Sequence, residues 1–256
     1  VQIKAWSAGG NMGTARSNLG GAGTQTAGLA MGGSTPTATN VTEEYSGFSW
    51  SNGGNMATAR YVFGSAGSQT AALAFGGYGP AISNATEEYN GSSWGPGGNL
   101  GTARYGIAGT GTQTAGLAFG GTNGPAAGID ATEEYNGTAW TGGGALNTAR
   151  QQFAGAGTRS AGLGFGGTTG SVTAATEEYN SNINAITQGA WASGGALNTS
   201  RSYMAGMGTQ TAALAAGGSN PTPAPGRIWT EEYNGSSWTN VNNLAAIGDN
   251  WTGCGT

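Results

Sequence analysis

The clearest alternation of apolar and polar positions lies at residues 113–119 (QTAGLAF), where every second residue from Ala115 to Phe119 is apolar on one side. A period of two is typical of a β-strand, and the two glycines that follow the segment end it. The segment 104–109 predicts a preceding strand, joined to this one through a short Gly-Thr turn. The pattern therefore predicts a hairpin of two short strands.

A second hairpin is predicted directly after the first. Thr132–Tyr135 (TEEY) forms its first strand, and Asn136-Gly137 is the dipeptide favoured by a type I′ turn, in which both central residues have positive φ. A short last strand then carries Trp140. The unit thus contains four short antiparallel strands.

This four-stranded unit is repeated along the chain. The segment GTQTAGLAFGG at 111–121 recurs with small changes in four other places, each time after an Arg and before Thr-Glu-Glu-Tyr and a Trp. The full repeats are 16–50, 60–94, 104–140, 150–191 and 201–238. Four antiparallel strands per repeat are typical of a propeller blade, so the chain predicts an all-β propeller in one domain over residues 1–256.

The order of the repeated residues resembles a known family. Arg, a strand that ends in Gly-Gly, Glu and Tyr, a Trp, and then Met or Leu before the next Arg is similar to the kelch repeat. This resemblance implies a kelch-like β-propeller. The Gly, Ala and Thr content of the inner strands resembles the propeller repeats of bacteriophage virion proteins, which implies a virion surface or another extracellular location.

The chain ends leave the number of blades open. Residues 244–256 align with the first strand of a repeat, and residues 1–6 align with a fourth strand in which Trp6 takes the place of Trp50. We predict that these ends close the ring as a partial sixth blade. A five-bladed ring with free ends, or a longer parent chain cut at both sides, is the alternative.

Composition excludes several classes of function. The 256 residues include 53 Gly, only 8 Lys and Arg, 12 Asp and Glu and no His, with a net charge of −4. Without a basic cluster, binding to nucleic acid is excluded, and no apolar segment is long enough for membrane insertion. Without His, the common catalytic triads and imidazole metal sites are excluded as well. We expect no enzyme activity, no cofactor and no metal.

Most of the charge belongs to the repeats. We hypothesise that in each blade one Glu of the Thr-Glu-Glu-Tyr segment accepts hydrogen bonds from a repeat Arg, and that each repeat Trp covers the packing between sheets. The rival hypothesis is a ring of acids that binds a cation or a sugar. The structural set comprises Arg16, Arg60, Arg104, Arg150, Arg201, Glu43, Glu87, Glu133, Glu177, Glu231, Trp50, Trp94, Trp140, Trp191 and Trp238.

Candidate binding residues lie where the repeats differ. The loops between the second and third strands (34–41, 78–85, 122–131, 168–175 and 219–229) should emerge on the same face as the connections between blades. The predicted ligand-binding residues are Tyr78, Asn123, Asp130, Asn220, Arg227 and Trp229. An insertion unique to the fourth repeat carries Ile183 and Ile186, which we predict dock to a partner subunit.

Two functions fit these expectations. The first is a non-enzymatic adhesion module that binds a cell-surface glycan or protein through the variable loops. The second is a purely structural virion component that decorates or connects other virion or surface-assembly proteins; a glycan-active enzyme is a distant third. The sequence leaves open whether the chain forms a homo-oligomer.

Overall fold

The protein is an all-β propeller with five four-stranded antiparallel blades, as predicted. The computed structural model describes residues 8–125, 128–181, 189–220 and 228–244. Within these residues there is no helix, and so none that is long and apolar enough to cross a membrane. The predicted ring-closing segments 1–6 and 244–256 fall outside the described residues, apart from Leu244.

Each blade is built from four strands that are consecutive in the chain. Blade one contains β1 (Gly20–Thr24), β2 (Ala27–Met31), β3 (Thr42–Tyr45) and β4 (Trp50–Asn52). Blade two contains β5 (Gly64–Ser68), β6 (Ala71–Phe75), β7 (Thr86–Tyr89) and β8 (Trp94–Pro96). Blade three contains β9 (Ala108–Thr112), β10 (Ala115–Phe119), β11 (Thr132–Tyr135) and β12 (Trp140–Gly142). Blade four contains β13 (Ala154–Gly157), β14 (Ala161–Phe165), β15 (Thr176–Asn180) and β16 (Ala190–Gly194). Blade five contains β17 (Ala205–Thr209), β18 (Ala212–Ala216), β19 (Thr230–Tyr233) and β20 (Trp238–Val241).

The first strand of each blade is the innermost one. Strands β1, β5, β9, β13 and β17 contact their neighbours in that order and together line a central cavity. The hydrophobic cores lie between consecutive blades: between blades two and three, for example, Leu73 and Phe75 pack with Tyr135 and Trp140. Because the sheets of blades two, three and four are covered on both faces, their second strands are buried at almost every position.

Two local predictions for blade three are wrong. The first strand begins at Ala108 and not at Arg104, because Arg104 is buried in the connection between blades and Gly106 has φ +64. Gln113 belongs to the turn between β9 and β10, where Thr112 pairs with Ala115. From that turn, the Gln113 amide donates to the carbonyls of Ala72 and Tyr89 in the preceding blade, at 3.0 and 2.6 Å.

The predicted type I′ turn is also wrong. Tyr135 pairs with Trp140, so residues 136–139 form a four-residue loop in which Gly137 has positive φ (+90) and Asn136 does not. The Asn136 side-chain oxygen instead accepts hydrogen bonds from the N–H groups of Thr138 and Ala139, at 3.0 and 2.9 Å. Hydrogen bonds to the Asn136 side chain therefore hold this loop, in place of the two-residue backbone turn that was expected.

A Gly-Gly doublet follows the second strand of each blade, and in blades one to four it touches the next blade. Gly76 and Gly77 have φ of +66 and +95, and a Cβ on Gly76 would lie 2.7 Å from the carbonyl oxygen of Arg104. The Gly77 N–H donates to that carbonyl at 2.8 Å. Glycine is needed here because a side chain would both strain the backbone and separate the blades.

The two Glu residues of each Thr-Glu-Glu-Tyr segment have different roles. The first Glu forms a buried ion pair with the repeat Arg of its own blade, as in Arg104–Glu133 at 2.9 Å and Arg201–Glu231 at 2.8 Å. Arg16–Glu43, Arg60–Glu87 and Arg150–Glu177 are the equivalent pairs. The first Glu also accepts a backbone N–H from the connection that precedes its blade, so it anchors that connection.

The second Glu joins neighbouring blades. The Tyr hydroxyl of the following blade donates to it, as Tyr135 donates to Glu88 at 2.5 Å and Tyr233 to Glu178 at 2.7 Å. Burial, followed by this hydrogen bond, raises the pKa of Tyr135 and of Tyr233 to about 12. The Thr-Glu-Glu-Tyr segments contain ten of the acidic residues. In every described blade, the first Glu of the segment forms an ion pair with an Arg.

Candidate functional site

The variable loops and the connections between blades lie on one face of the propeller, which we call the loop face. There, short β-bridges join the connection before each first strand to the loop after each second strand, as in Tyr61 with Tyr78 and Gln151 with Thr168. The tight turns between the third and fourth strands, such as 46–49, lie on the opposite face. The loop face is therefore the one on which the repeats differ.

Five equivalent residues surround the central cavity where it opens on the loop face. All have left-handed backbone geometry, and we call them the left-handed ring: Asn18 (φ +54), Val62 (φ +51), Gly106 (φ +64), Gln152 (φ +57) and Tyr203 (φ +54). Each residue after the first donates its N–H to the carbonyl of the one before, at 2.8–3.0 Å. A continuous chain of backbone hydrogen bonds thus runs along the rim from blade one to blade five.

The left-handed ring encloses a cavity that opens to solvent. Its volume is about 110 Å³, and its wall is formed by the ring residues and by residues at or just before the starts of the innermost strands. The described residues that line it include no Asp, Glu, Lys or Arg. Such a cavity can form hydrogen bonds through Asn18, Gln152 and Tyr203 and apolar contacts through Val62, but it has no charge with which to bind an ion.

A cluster of three tyrosines lies beside this cavity. Tyr78 packs edge-to-face against Tyr61 of its own blade and Tyr105 of the next, with ring centroids 5.7 and 5.6 Å apart. All three side chains are half-buried. Tyr61 and Tyr105 directly precede the ring residues Val62 and Gly106 in the chain, so the tyrosine cluster lies next to the rim of the cavity.

The chemistry of this surface is neutral. Burial raises the pKa of Tyr203; the hydrogen bond with Gln152 lowers it by less, and the nearby Tyr105 raises it by less again. Tyr203 therefore stays protonated at neutral pH and can both donate and accept a hydrogen bond. Among the described residues, no group of three or more His, Cys, Asp or Glu side chains could hold a metal ion.

Val62 has an unfavourable conformation, because a β-branched residue rarely adopts positive φ. Left-handed geometry costs a non-glycine residue on the order of 1–2 kcal/mol. We expect Val62→Gly to raise the free energy of unfolding by about 1 kcal/mol, measured by denaturant titration. Asn18→Gly is the matched control and should gain less, because Asn tolerates this conformation. A destabilised Val62→Gly variant would show that the Val62 side chain contributes more through packing than the backbone loses in strain.

The described ligand-binding candidates lie in the loops of three different blades. Tyr78 belongs to the tyrosine cluster and packs against two other rings. Asn123 and Asp130 are exposed in blade three. In blade five, the Asn220 amide donates to the Ser200 carbonyl at 2.9 Å, and Trp229 is half-buried with its carbonyl bound to Arg201 at 2.8 Å. Of this set, Tyr78 alone belongs to the tyrosine cluster or the left-handed ring.

The other predicted positions fall outside the described residues. These are Arg227 of the loop-face set and the docking candidates Ile183 and Ile186. Their assignments stay predictions from the sequence.

The left-handed ring was missed because residues 104–109 were interpreted as a regular strand. A signal was present in the sequence: the second residue after the repeat Arg is Asn18, Val62, Gly106, Gln152 or Tyr203, although the Arg itself is invariant across the five repeats. The principle that binding residues differ between repeats would have selected this position. The wrong strand boundary concealed its location at the rim of the cavity.

Comparison with known proteins supports the propeller fold and does not indicate a function. No family model matches the chain, and no curated protein matches it. The solved structure of YjhT is similar, with a TM-score of 0.78 at 12% sequence identity, over 94% of this chain and 88% of that one. At this level of identity the likeness shows that the chain is a β-propeller.

Proposed function

We propose that this protein is a non-enzymatic binding module that holds a neutral, hydroxyl-rich ligand, such as a cell-surface glycan, on its loop face. The observation that carries the proposal is the tyrosine cluster beside an uncharged cavity whose rim has a different residue in each of the five blades. Tyrosine rings offer an apolar face to sugar C–H groups and a hydroxyl to sugar oxygens. Amide and phenol groups such as Gln152 and Tyr203 can fix the orientation of the ligand without attracting ions.

The scaffold supports the same proposal. The repeated Arg, Glu, Tyr and Trp residues are engaged in ion pairs, hydrogen bonds and interblade packing, so substitutions there would damage the fold. The rim and loop residues carry no such shared role and are free to differ. Divergent residues on a rigid repeated scaffold are the usual way in which propellers acquire binding specificity.

The expected setting is a virion surface or another extracellular assembly. This part of the proposal rests on the resemblance of the repeats to kelch sequences and to bacteriophage virion propellers, which is a sequence argument. A purely structural role among other virion proteins is the second candidate.

The proposal predicts that Tyr78→Ala weakens binding of neutral glycans by roughly tenfold or more, because it removes the central ring of the cluster. Binding of the purified protein to an array of neutral glycans, followed by calorimetry on any hit, measures this. Phe48→Ala is the matched control: Phe48 is 86% exposed on the opposite face, so its loss should leave binding unchanged. Circular dichroism should show both variants folded.

Two results would contradict the proposal. If the wild-type protein retains no glycan, the loop face is not a glycan site and the structural role is favoured. If Phe48→Ala weakens binding as much as Tyr78→Ala does, the ligand lies on the opposite face.

A further inference from the structure

One position of the left-handed ring has no side chain. Asn18, Val62, Gln152 and Tyr203 each carry a side chain at this position of their blades, whereas blade three has Gly106. The four larger residues are half-buried, but Gly106 is buried, so neighbouring side chains cover it. The rim of the cavity thus has a gap in blade three that other blades fill.

Gln152 of blade four lies beside this gap. A Cβ on Gly106 would lie 3.3 Å from the Gln152 backbone nitrogen, 3.4 Å from the Gln152 Cγ and 3.5 Å from the Gln151 Cβ. The Gln152 side chain therefore packs against the bare backbone of Gly106. Because even a methyl group would be in close contact with Gln152, a larger side chain at position 106 would push the Gln152 side chain away.

Tyr203 of blade five connects Gln152 to the tyrosine cluster. The Tyr203 side chain is hydrogen-bonded to Gln152 and interacts electrostatically with Tyr105 of the cluster. The Gln152 amide has two donor hydrogens and an acceptor oxygen, and the Tyr203 hydroxyl both donates and accepts, so one hydrogen bond between them leaves both able to bind further groups. Gln152 and Tyr203, which we call the polar pair, thus lie beside the aromatic surface of Tyr61, Tyr78 and Tyr105.

We propose that the polar pair is a second sugar subsite beside the tyrosine cluster, and that the ligand is a neutral oligosaccharide of which two adjacent units contact the protein. This inference deepens the proposed function and rests on it. A sugar ring stacked on the cluster lies between blades two and three, so the hydrogen-bonding groups of blades four and five meet the next unit. Gly106 is the positioning residue of this subsite, because the absence of its side chain leaves room for Gln152.

The affinity for sugars of increasing length tests this assignment. The probes are glucose, galactose, mannose and their neutral homo-oligosaccharides, measured by calorimetry. The wild-type protein should bind a disaccharide roughly tenfold more tightly than its monosaccharide, because the second unit gains hydrogen bonds to the polar pair. Gly106→Asn should remove most of this gain and retain the affinity for the monosaccharide, since the new side chain displaces Gln152.

The chain offers matched controls for this variant. Gly106→Asn should fold, which circular dichroism checks, because Asn18 has the same left-handed geometry at the equivalent position. Gly137→Asn makes the same exchange at another left-handed glycine of blade three, in a turn on the opposite face, and should leave both affinities unchanged.

Tyr203→Phe tests the polar pair without a change at Gly106. The variant keeps the ring and loses the hydroxyl, so the gain from the second sugar unit should fall as it does in Gly106→Asn. Because both substitutions act on the same subsite, the double variant should lose little more than either single variant.

The outcomes distinguish this inference from the proposed function. If sugars bind but the second unit adds no affinity, or if both variants keep the gain, the polar pair is not a subsite and the proposed function stands. The same holds if the variants weaken the monosaccharide and the disaccharide equally. If no neutral sugar of any length binds, the proposed function and this inference both fail.

Discussion

Replacing Arg104 with Met is expected to destabilise the protein by about 3–5 kcal/mol. Arg104 is fully buried, and its guanidinium donates to Glu133 at 2.9 Å and to the Ala131 carbonyl at 2.9 Å. Burial lowers the pKa of Arg104 and the attraction of Glu133 opposes that change, so the Arg is charged in the folded protein. The substitution leaves the Glu133 carboxylate buried without its counter-charge. Thermal and denaturant unfolding measure the loss.

Arg159→Met is the matched control for this prediction. Its side chain is 38% exposed, and its Nε lies 3.9 Å from Glu134, so the loss should be no more than about 1 kcal/mol. Combining Arg104→Met with Glu133→Gln should recover part of the stability, because no unpaired charge remains. An Arg104→Met variant as stable as the Arg159→Met variant would show that the repeat pair contributes little net stability.

The protein is expected to unfold cooperatively between about pH 10 and pH 12, because tyrosine ionisation is linked to folding. Burial, with the hydrogen bond to a Glu of the preceding blade, raises the pKa of Tyr89, Tyr135 and Tyr233 to about 12 and that of Tyr179 further. Since ionisation is disfavoured in the folded state, the folded protein binds more protons than the unfolded chain above pH 10. Stability is therefore fully present below pH 10 and is lost as the pH rises through the folded pKa values.

The size of this effect follows from the number of residues involved. A pKa raised by two units corresponds to about 2–3 kcal/mol for each tyrosine, and four such tyrosines exceed the stability of many domains. Absorbance at alkaline pH should show these four of the nine tyrosines ionising together with the loss of β-sheet circular dichroism. Replacing Tyr135 with Phe removes one of the linked groups and should make the transition less steep. Ionisation of all nine tyrosines near pH 10 with the sheet signal retained would contradict the linkage.

Stability and recognition use different positions of the same repeat. The Arg, the first Glu and the Trp have equivalent contacts in successive blades, whereas the residue two after the Arg differs in all five repeats and lies on the rim of the cavity. The Arg and Glu variants should therefore lower the melting temperature more than the Tyr78 variant does, and only the Tyr78 variant should weaken binding in the folded protein. Effects of a substitution on ligand binding can therefore be measured separately from its effects on folding stability.

The sequence by itself determined the repeat and its four strands. The third strand is an example: Thr132–Tyr135 was predicted with the bounds that the structure shows, because its sequence is the same in all five repeats and the Asn-Gly turn dipeptide follows it. The repeated Gly-Gly, Tyr and Trp positions likewise reflect local packing needs that recur in every blade. A requirement that is repeated five times leaves a periodic signal in one sequence.

Only the tertiary structure decided how the parts meet. The hydrogen bond between the second Glu of a Thr-Glu-Glu-Tyr segment and the Tyr of the next blade depends on the distance between two sheets. The left-handed geometry of Val62 or Tyr203 depends on the position of the carbonyl in the preceding blade that accepts its N–H. The meeting of Tyr61, Tyr78 and Tyr105 depends in the same way on how closely blades two and three pack. These contacts join residues from different repeats, and their geometry is set by the packing of whole sheets, so the local pattern of any one repeat does not encode them.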